Sequence, residues 1–245
     1  MKEVQYMKKE IPIDVVNLFD QDSPYFEQYR ILRTNIDFQR KRMDIKTILI
    51  ASANSGDGKT TTTLNLGAVF AANGNKVLII DGDLRKRSLS QQFGYHKMNG
   101  GFSLLLENSQ VDSSTCIKST NNDNLFFLPA GNYLNNPAEL FTEERISELF
   151  HEFSESFDLV LIDIPPLLEV ADGQILATKV DSTVLVVRES KTSRKSVIKA
   201  KKTLDSVDAP ILGVVRNAAK SSNKQYYGMN KKYGENPTGI LRKLF

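Results

Sequence analysis

A chain of 245 residues that is 40% hydrophobic and 25% charged can bury one large core and is too apolar to be disordered throughout. No apolar run approaches the roughly 18 residues that span a bilayer, and Met1 to Glu10 places charges where a secretory signal has its apolar stretch, so the chain is expected in the cytoplasm. One cysteine, Cys116, excludes an internal disulfide framework; two histidines, His96 and His151, are too few for a Cys/His zinc site, so any metal must be held by oxygen. The formal net charge of +3 is unevenly divided. From Ala218 to Phe245 six Lys or Arg face a single acid, Glu235, for a net of +5, and the other 26 basic and 28 acidic residues sum to −2.

In chain order, residues 1–22 read as an N-terminal arm. Ser23-Pro24 then opens a helix over 23–43, with Pro24 in its first turn and Tyr25, Tyr29, Leu32 and Ile36 on one stripe. Short apolar runs, most of them rich in β-branched residues, follow at Thr47 to Ala51, Val77 to Ile80, Leu125 to Leu128, Leu159 to Ile162, Thr183 to Val187 and Ile211 to Val215. Helical periodicity fills the gaps at Thr60 to Ala72, Glu143 to Ser154 and Ser193 to Val207. The alternation predicts a single α/β domain over 23–217, a doubly wound and mostly parallel sheet. Residues 218–245, rich in Asn, Gly, Lys and Ser and without apolar periodicity, read as a flexible tail.

Three segments carry the chemistry. The first strand runs into Ser52-Ala53-Asn54-Ser55-Gly56-Asp57-Gly58-Lys59-Thr60 and then a helix, which is the setting of a phosphate loop. Backbone amides from Ser55 through Gly56, Asp57 and Gly58 to Thr61 cradle phosphate oxygens there, Lys59 reaches the β and γ phosphates, and the Thr60 hydroxyl binds Mg²⁺. The first glycine of the usual pattern is Ala53, so this Walker A loop is a deviant one. The second strand ends in Asp81-Gly82-Asp83-Leu84-Arg85, and the fourth in Asp163-Ile164-Pro165-Pro166. Acids at the carboxyl ends of parallel strands lie where open α/β sheets bind ligands, and such a carboxylate holds magnesium in phosphate-loop enzymes.

A phosphate loop lacking its first glycine, D-x-D-x-R and D-x-P-P, in that order, resemble the bacterial tyrosine kinases of capsule and exopolysaccharide synthesis. The likeness runs from about Ser23 to the tail and includes Glu27-Gln28-Tyr29-Arg30-Ile31-Leu32-Arg33, similar to the E-x-x-R-x-x-R segment through which those kinases form rings. It implies an ATP- and Mg²⁺-dependent kinase, with Glu27, Arg30 and Arg33 in a homo-oligomeric ring. A membrane-embedded activator would hold it at the inner face of the plasma membrane. A cognate tyrosine phosphatase is implied as a second partner, and nucleic acid is not. The related partitioning and septum-positioning ATPases carry an extra lysine early in the loop, where this chain has Asn54. A scaffold that only hydrolyses ATP stays open, because the loop does not distinguish transfer to tyrosine from transfer to water. No His-Arg-Asp or Asp-Phe-Gly motif of the eukaryotic-type kinases is present.

The expected roles are these. Lys59 and the loop amides stabilise the phosphate oxygens; Thr60, Asp83 and Asp163 fix Mg²⁺; Asp81 orients or deprotonates the acceptor. Asn217, just past the last strand, is a candidate adenine contact. Tyr226, Tyr227 and Tyr233, three of the eight tyrosines, sit in the basic tail as acceptors. A 28-residue tail, extended, spans up to roughly 90 Å, enough to reach a neighbour's site in trans.

Overall fold

Six strands run parallel through the middle of an eight-stranded sheet ordered β3-β4-β2-β5-β1-β6-β7-β8. The computed structural model describes residues 24–95, 100–134, 136–219 and 241–242. The strands are β1 Thr47–Ser52, β2 Val77–Asp81, β3 Lys118–Ser119, β4 Leu125–Leu128, β5 Leu159–Asp163, β6 Ser182–Arg188, β7 Ile211–Asn217 and β8 Leu241–Arg242. The two outermost, β3 and β8, pair antiparallel. The six strands expected from the sequence are therefore the parallel ones. Leu241–Arg242 departs from the expected flexible tail: these two residues pair with Val214 and Val215 at the sheet's edge.

Helices cover both faces because the strands are buried on both. Along β1, Ile48 and Ile50 join one cluster with Leu66 and Phe70 of α2 (Lys59–Ala71), while Leu49 and Ala51 join the other. That second cluster includes Leu149 and Phe153 of α6 (Glu143–Ser156) and Ala200 and Leu204 of α8 (Arg194–Asp205). A side chain as fully enclosed as Phe70 contributes about 1.5–3 kcal/mol by leaving water. The helix α1 (Pro24–Met43) lies on the α2 side, with Phe26, Tyr29, Leu32 and Ile36 turned inward. Glu27 in its first turn and Arg40, Lys41 and Arg42 in its last complement the helix dipole. It stops where Asp44 adopts φ 53° and the Ile45 N–H donates back to the Arg40 carbonyl at 2.8 Å.

The other helices are short: α3 Ser88–Gln92, α4 Phe102–Glu107, α5 Ser113–Cys116 and α7 Asp172–Ala177. Their four to six residues carry too little periodicity to be seen in the sequence. Among the described residues no helix is long and apolar enough to cross a membrane. The register that matters most is Asp81 beside Asp163, which puts the last residues of β2 and β5 level on one face of the sheet.

Candidate functional site

The phosphate loop sits between the end of β1 and the start of α2, and its shape is set from outside. Gly58 precedes α2 at φ 99°, and a Cβ there would lie 1.8 Å from Asn217 Nδ2, so only glycine fits. Asn217 Nδ2 in turn donates to the Asp57 carbonyl at 2.9 Å, which brings the end of β7 against the loop. The Asp57 side chain points inward and braces the turn, accepting from the Asn54 N–H at 3.0 Å and the Thr192 hydroxyl at 2.8 Å. Arg188 donates to the Gly56 carbonyl at 3.0 Å and Lys191 to the Ser55 carbonyl at 3.2 Å. The Ser55 amide already holds an anion: it donates to Glu169 Oε1 at 3.2 Å.

Lys59 and Thr60 open α2 directly beneath the loop, and Thr61 is exposed in the same first turn. Lys59 is 7% exposed; burial pulls its ammonium below the usual lysine range, opposed by Asp163, Asp83, Asp57 and Glu169 around it. Thr60 Oγ1 donates to Asp163 Oδ2 at 2.7 Å, joining α2 to the end of β5. Asp163 Oδ1 is buried, with no hydrogen-bond partner among the described residues. Burial pushes the Asp163 carboxyl up to about 7 despite the pull of Lys59 and the Thr60 bond. Asp83 caps its own turn, accepting from the Lys86 N–H at 2.9 Å and the Arg85 N–H at 3.2 Å.

Of Asp81, Asp83 and Asp163, Asp81 is the most enclosed. It is wholly buried, its Oδ2 accepts from both the N–H (2.8 Å) and hydroxyl (2.7 Å) of Ser90, and its Oδ1 from the Asp83 N–H at 3.3 Å. Burial raises its carboxyl to about 7, with Asp163 and Asp83 adding to the rise and Ser90 opposing it. In this arrangement Asp81 anchors the loop that carries Asp83. Arg85 makes a two-pronged pair with the buried Asp172, at 2.8 and 3.1 Å, tying the D-x-D-x-R loop to the start of α7. Ser90, Glu169, Asp172, Arg188, Lys191 and Thr192 also line this region, and no local sequence pattern marks them. On α1, Glu27 and Arg30 pair with each other on the exposed side at 3.3 Å and Arg33 is half-buried. Tyr226, Tyr227 and Tyr233 lie outside the described residues.

The domain family described as an AAA domain matches residues 45–212. Tyrosine-protein kinase YwqD of Bacillus subtilis (strain 168) is 38% identical over 215 residues, covering 88% of this chain and 90% of that one. This chain belongs to the bacterial tyrosine-kinase family. The crystal structure of the chimerical protein CapA2B2 superposes with a TM-score of 0.75 at 32% identity, over 84% of this chain and 91% of the other. The septum site-determining protein MinD from Pyrococcus horikoshii OT3, complexed with Mg-ADP, shares the fold at a lower TM-score of 0.60 and 25% identity, over 71% and 70% of the two chains. The order of these likenesses agrees with the loop, which has Asn54 where the septum-positioning group has its lysine. The bacterial tyrosine-kinase fold here is thus a phosphate-loop nucleotide-binding fold with its carboxylates at one sheet edge.

Proposed function

We propose that this chain is a protein-tyrosine kinase that uses Mg-ATP to phosphorylate Tyr226, Tyr227 and Tyr233 of a neighbouring copy in an oligomer, and so regulates capsular or extracellular polysaccharide synthesis and export. The observation that carries the reading is the meeting of Lys59, Thr60, Asp83 and Asp163 at one sheet edge under a phosphate loop. Phosphoryl transfer asks a protein mainly to position the acceptor and neutralise charge on the transferred group. Lys59 and the amides of Ser55 to Thr61 do the second. To seat the terminal phosphate, the Ser55 amide must exchange the Glu169 carboxylate for a phosphate oxygen, so Glu169 competes with the nucleotide.

The residues fit a magnesium ion. Asp163 has a buried oxygen without a partner, and Thr60 and Asp83 add hard oxygen donors. Among the described residues no three acidic, His or Cys side chains converge as a metal centre. That suits an ion held by one or two carboxylates and completed by substrate phosphates. Bound there, Mg²⁺ supplies Lewis-acid neutralisation of the β and γ oxygens. Asp81, titrating near 7, is matched to hold a proton at neutral pH, and it can take one from an acceptor once the Ser90 hydroxyl turns away. Asn217, fastened to the loop, contributes to the nucleotide site from its adenine side.

The exposed Glu27–Arg30 side of α1, with Ile31 and Phe38 also exposed, supports self-association through Glu27, Arg30 and Arg33. A membrane-embedded activator places the ring at the inner face of the plasma membrane, and a tyrosine phosphatase resets it. Three phosphotyrosines add about −4.5 to −6 charge, enough to nearly cancel or to reverse the +5 of residues 218–245. The test is peptide mass spectrometry after incubation with Mg-ATP: phosphate appears on Tyr226, Tyr227 or Tyr233, and not in Lys59→Met. Free phosphate with unmodified tyrosines would leave only a hydrolysing scaffold.

A further inference from the structure

Ser55, in the phosphate loop, is held from three sides by ionic groups of three other segments. Its N–H donates to Glu169 Oε1 at 3.2 Å, its Oγ accepts from Lys86 Nζ at 3.2 Å, and its carbonyl accepts from Lys191 Nζ at 3.2 Å. Lys86 follows β2, Glu169 follows β5 and Lys191 follows β6. The Lys86 ammonium also stands 3.6 Å from Glu169 Oε2. One carboxylate therefore bridges two groups, with Oε1 on the Ser55 amide and Oε2 beside the Lys86 ammonium. A backbone N–H and an ammonium that share one anion make an anion subsite, and the anion that fills it is a side chain of the same protein. A terminal phosphoryl group presents its oxygens much as a carboxylate does, so it can take both places. Lys191 bonds the Ser55 carbonyl, so it braces the loop and not the anion.

The loop after β2 grips the segment after β5 twice, and the two grips differ in kind. Arg85 binds Asp172 through two nitrogens, and the Asp172 side chain is 1% exposed. Lys86 meets Glu169 across one longer contact, with 54% and 44% of the two side chains exposed. The first pair is fixed, because separating it would strand a buried charge. The second is exchangeable, because an exposed pair contributes little and both groups regain water when they part. The backbone of Lys86 is nevertheless held: its N–H donates to Asp83 Oδ1 at 2.9 Å, and its carbonyl accepts from Gln91 Nε2 at 3.0 Å. Its ammonium is thus carried on the turn that Asp83 caps. Burial lowers the Lys59 ammonium, and Glu169 is one of the four carboxylates that oppose it. A phosphate that displaces Glu169 brings negative charge to the same place, so the exchange keeps Lys59 balanced.

We propose that Lys86 and the Ser55 amide form the subsite for the terminal phosphate of ATP, that Glu169 fills it when no triphosphate is bound, and that this exchange makes the site distinguish ATP from ADP. The inference rests on the tyrosine-kinase reading above and deepens it. ATP must expel the Glu169 carboxylate, and in return its γ oxygens gain the Ser55 N–H and the Lys86 ammonium. ADP has no γ phosphate, so it leaves Glu169 on Ser55 and makes no contact with Lys86. Once the γ phosphate has passed to an acceptor, Glu169 returns to the vacated groups. Lys86 is then a residue that touches only the triphosphate, and Glu169 is a competitor only against the triphosphate.

The experiment is titration calorimetry of the full chain, with Mg²⁺, against ADP and against the β,γ-imido analogue of ATP. Lys86→Gln should weaken the analogue about ten-fold and ADP by less than about two-fold, and Lys86→Arg should restore part of the loss. Glu169→Gln should tighten the analogue several-fold and leave ADP unchanged. Melting temperatures of the nucleotide-free variants should stay within about 2 °C of the unchanged chain, since both side chains are exposed. Equal weakening of both nucleotides in Lys86→Gln, or of neither, overturns the inference. A selective loss in Lys191→Gln in place of Lys86→Gln assigns the phosphate to Lys191 and also overturns it. If the unchanged chain binds both nucleotides and phosphorylates its tyrosines while Lys86→Gln shows no selective loss, this inference falls and the kinase reading stands. If the unchanged chain binds neither nucleotide, the two fall together.

Discussion

The two ends of the parallel sheet treat buried charge in opposite ways. At the amino end Arg40, 7% exposed, uses three nitrogens on three partners: Asp37 at 2.8 Å, the Asp158 carbonyl at 3.0 Å and Asn75 at 2.7 Å. Beside it Asp181 accepts from the Lys46 and Thr47 amides, and Asp158 from the Lys76 amide. At the carboxyl end Asp163 keeps an unpartnered oxygen, and Asp81 and Asp163 are both raised to about 7. Buried charge whose bonds are all made stabilises a fold, whereas buried charge left incomplete costs stability until a ligand completes it. The amino end is a clasp; the carboxyl end leaves its carboxylates incompletely bonded.

Substitutions at the two ends should therefore separate activity from stability. Lys59→Met removes the main cation from the transferred group and should cut phosphoryl transfer by at least about 100-fold with little change in unfolding midpoint, checked by radiolabel transfer and urea denaturation. Asp163→Asn should abolish most Mg²⁺-dependent transfer yet leave the nucleotide-free chain as stable or more so above pH 7, because an incompletely bonded buried acid has become neutral. A clear loss of stability there would erase the contrast between the ends. Arg40→Ala should do the reverse, costing about 3 kcal/mol by denaturant titration with kcat per folded molecule unchanged.

Two smaller effects sharpen the picture. Asp81 titrates near 7 when folded and near 4 when unfolded, so the folded chain holds this proton more tightly. The stability it contributes is complete below about pH 4 and is lost as pH rises through about 7, so Asp81→Asn should flatten the fall in melting temperature between pH 5 and 8. Glu169→Gln, by weakening the anion that occupies the Ser55 amide, should tighten nucleotide binding by a few-fold in calorimetry; unchanged affinity would remove Glu169 as a competitor.

The parallel strands and the longer helices were legible because each carries its own signal: apolar runs of four to seven residues, most of them rich in β-branched residues, or apolar residues at helical spacing over three turns. Gly56, Gly58, Lys59 and Thr60 were legible for the same reason, since a phosphate loop is a local backbone shape joined to a strand and a helix. Asp81, Asp83 and Asp163 could be placed at the correct edge because parallel strands all end on one side. What Asp81 touches could not be read: Ser90 stands on a five-residue helix with no period of its own. Arg85 and Asp172 are 87 residues apart, and Lys191 reaches the Ser55 carbonyl across 136.

Chain-local physics, then, was enough to name the nucleotide-binding edge and the residues that gather there. Which of those residues face substrate and which face the protein depends on β5 lying between β2 and β1, and on the loops after β4 and β6 folding over that edge. Strand order is settled by packing between segments far apart in sequence, and so are the pairing of Arg85 with Asp172 and the enclosure of Asp81.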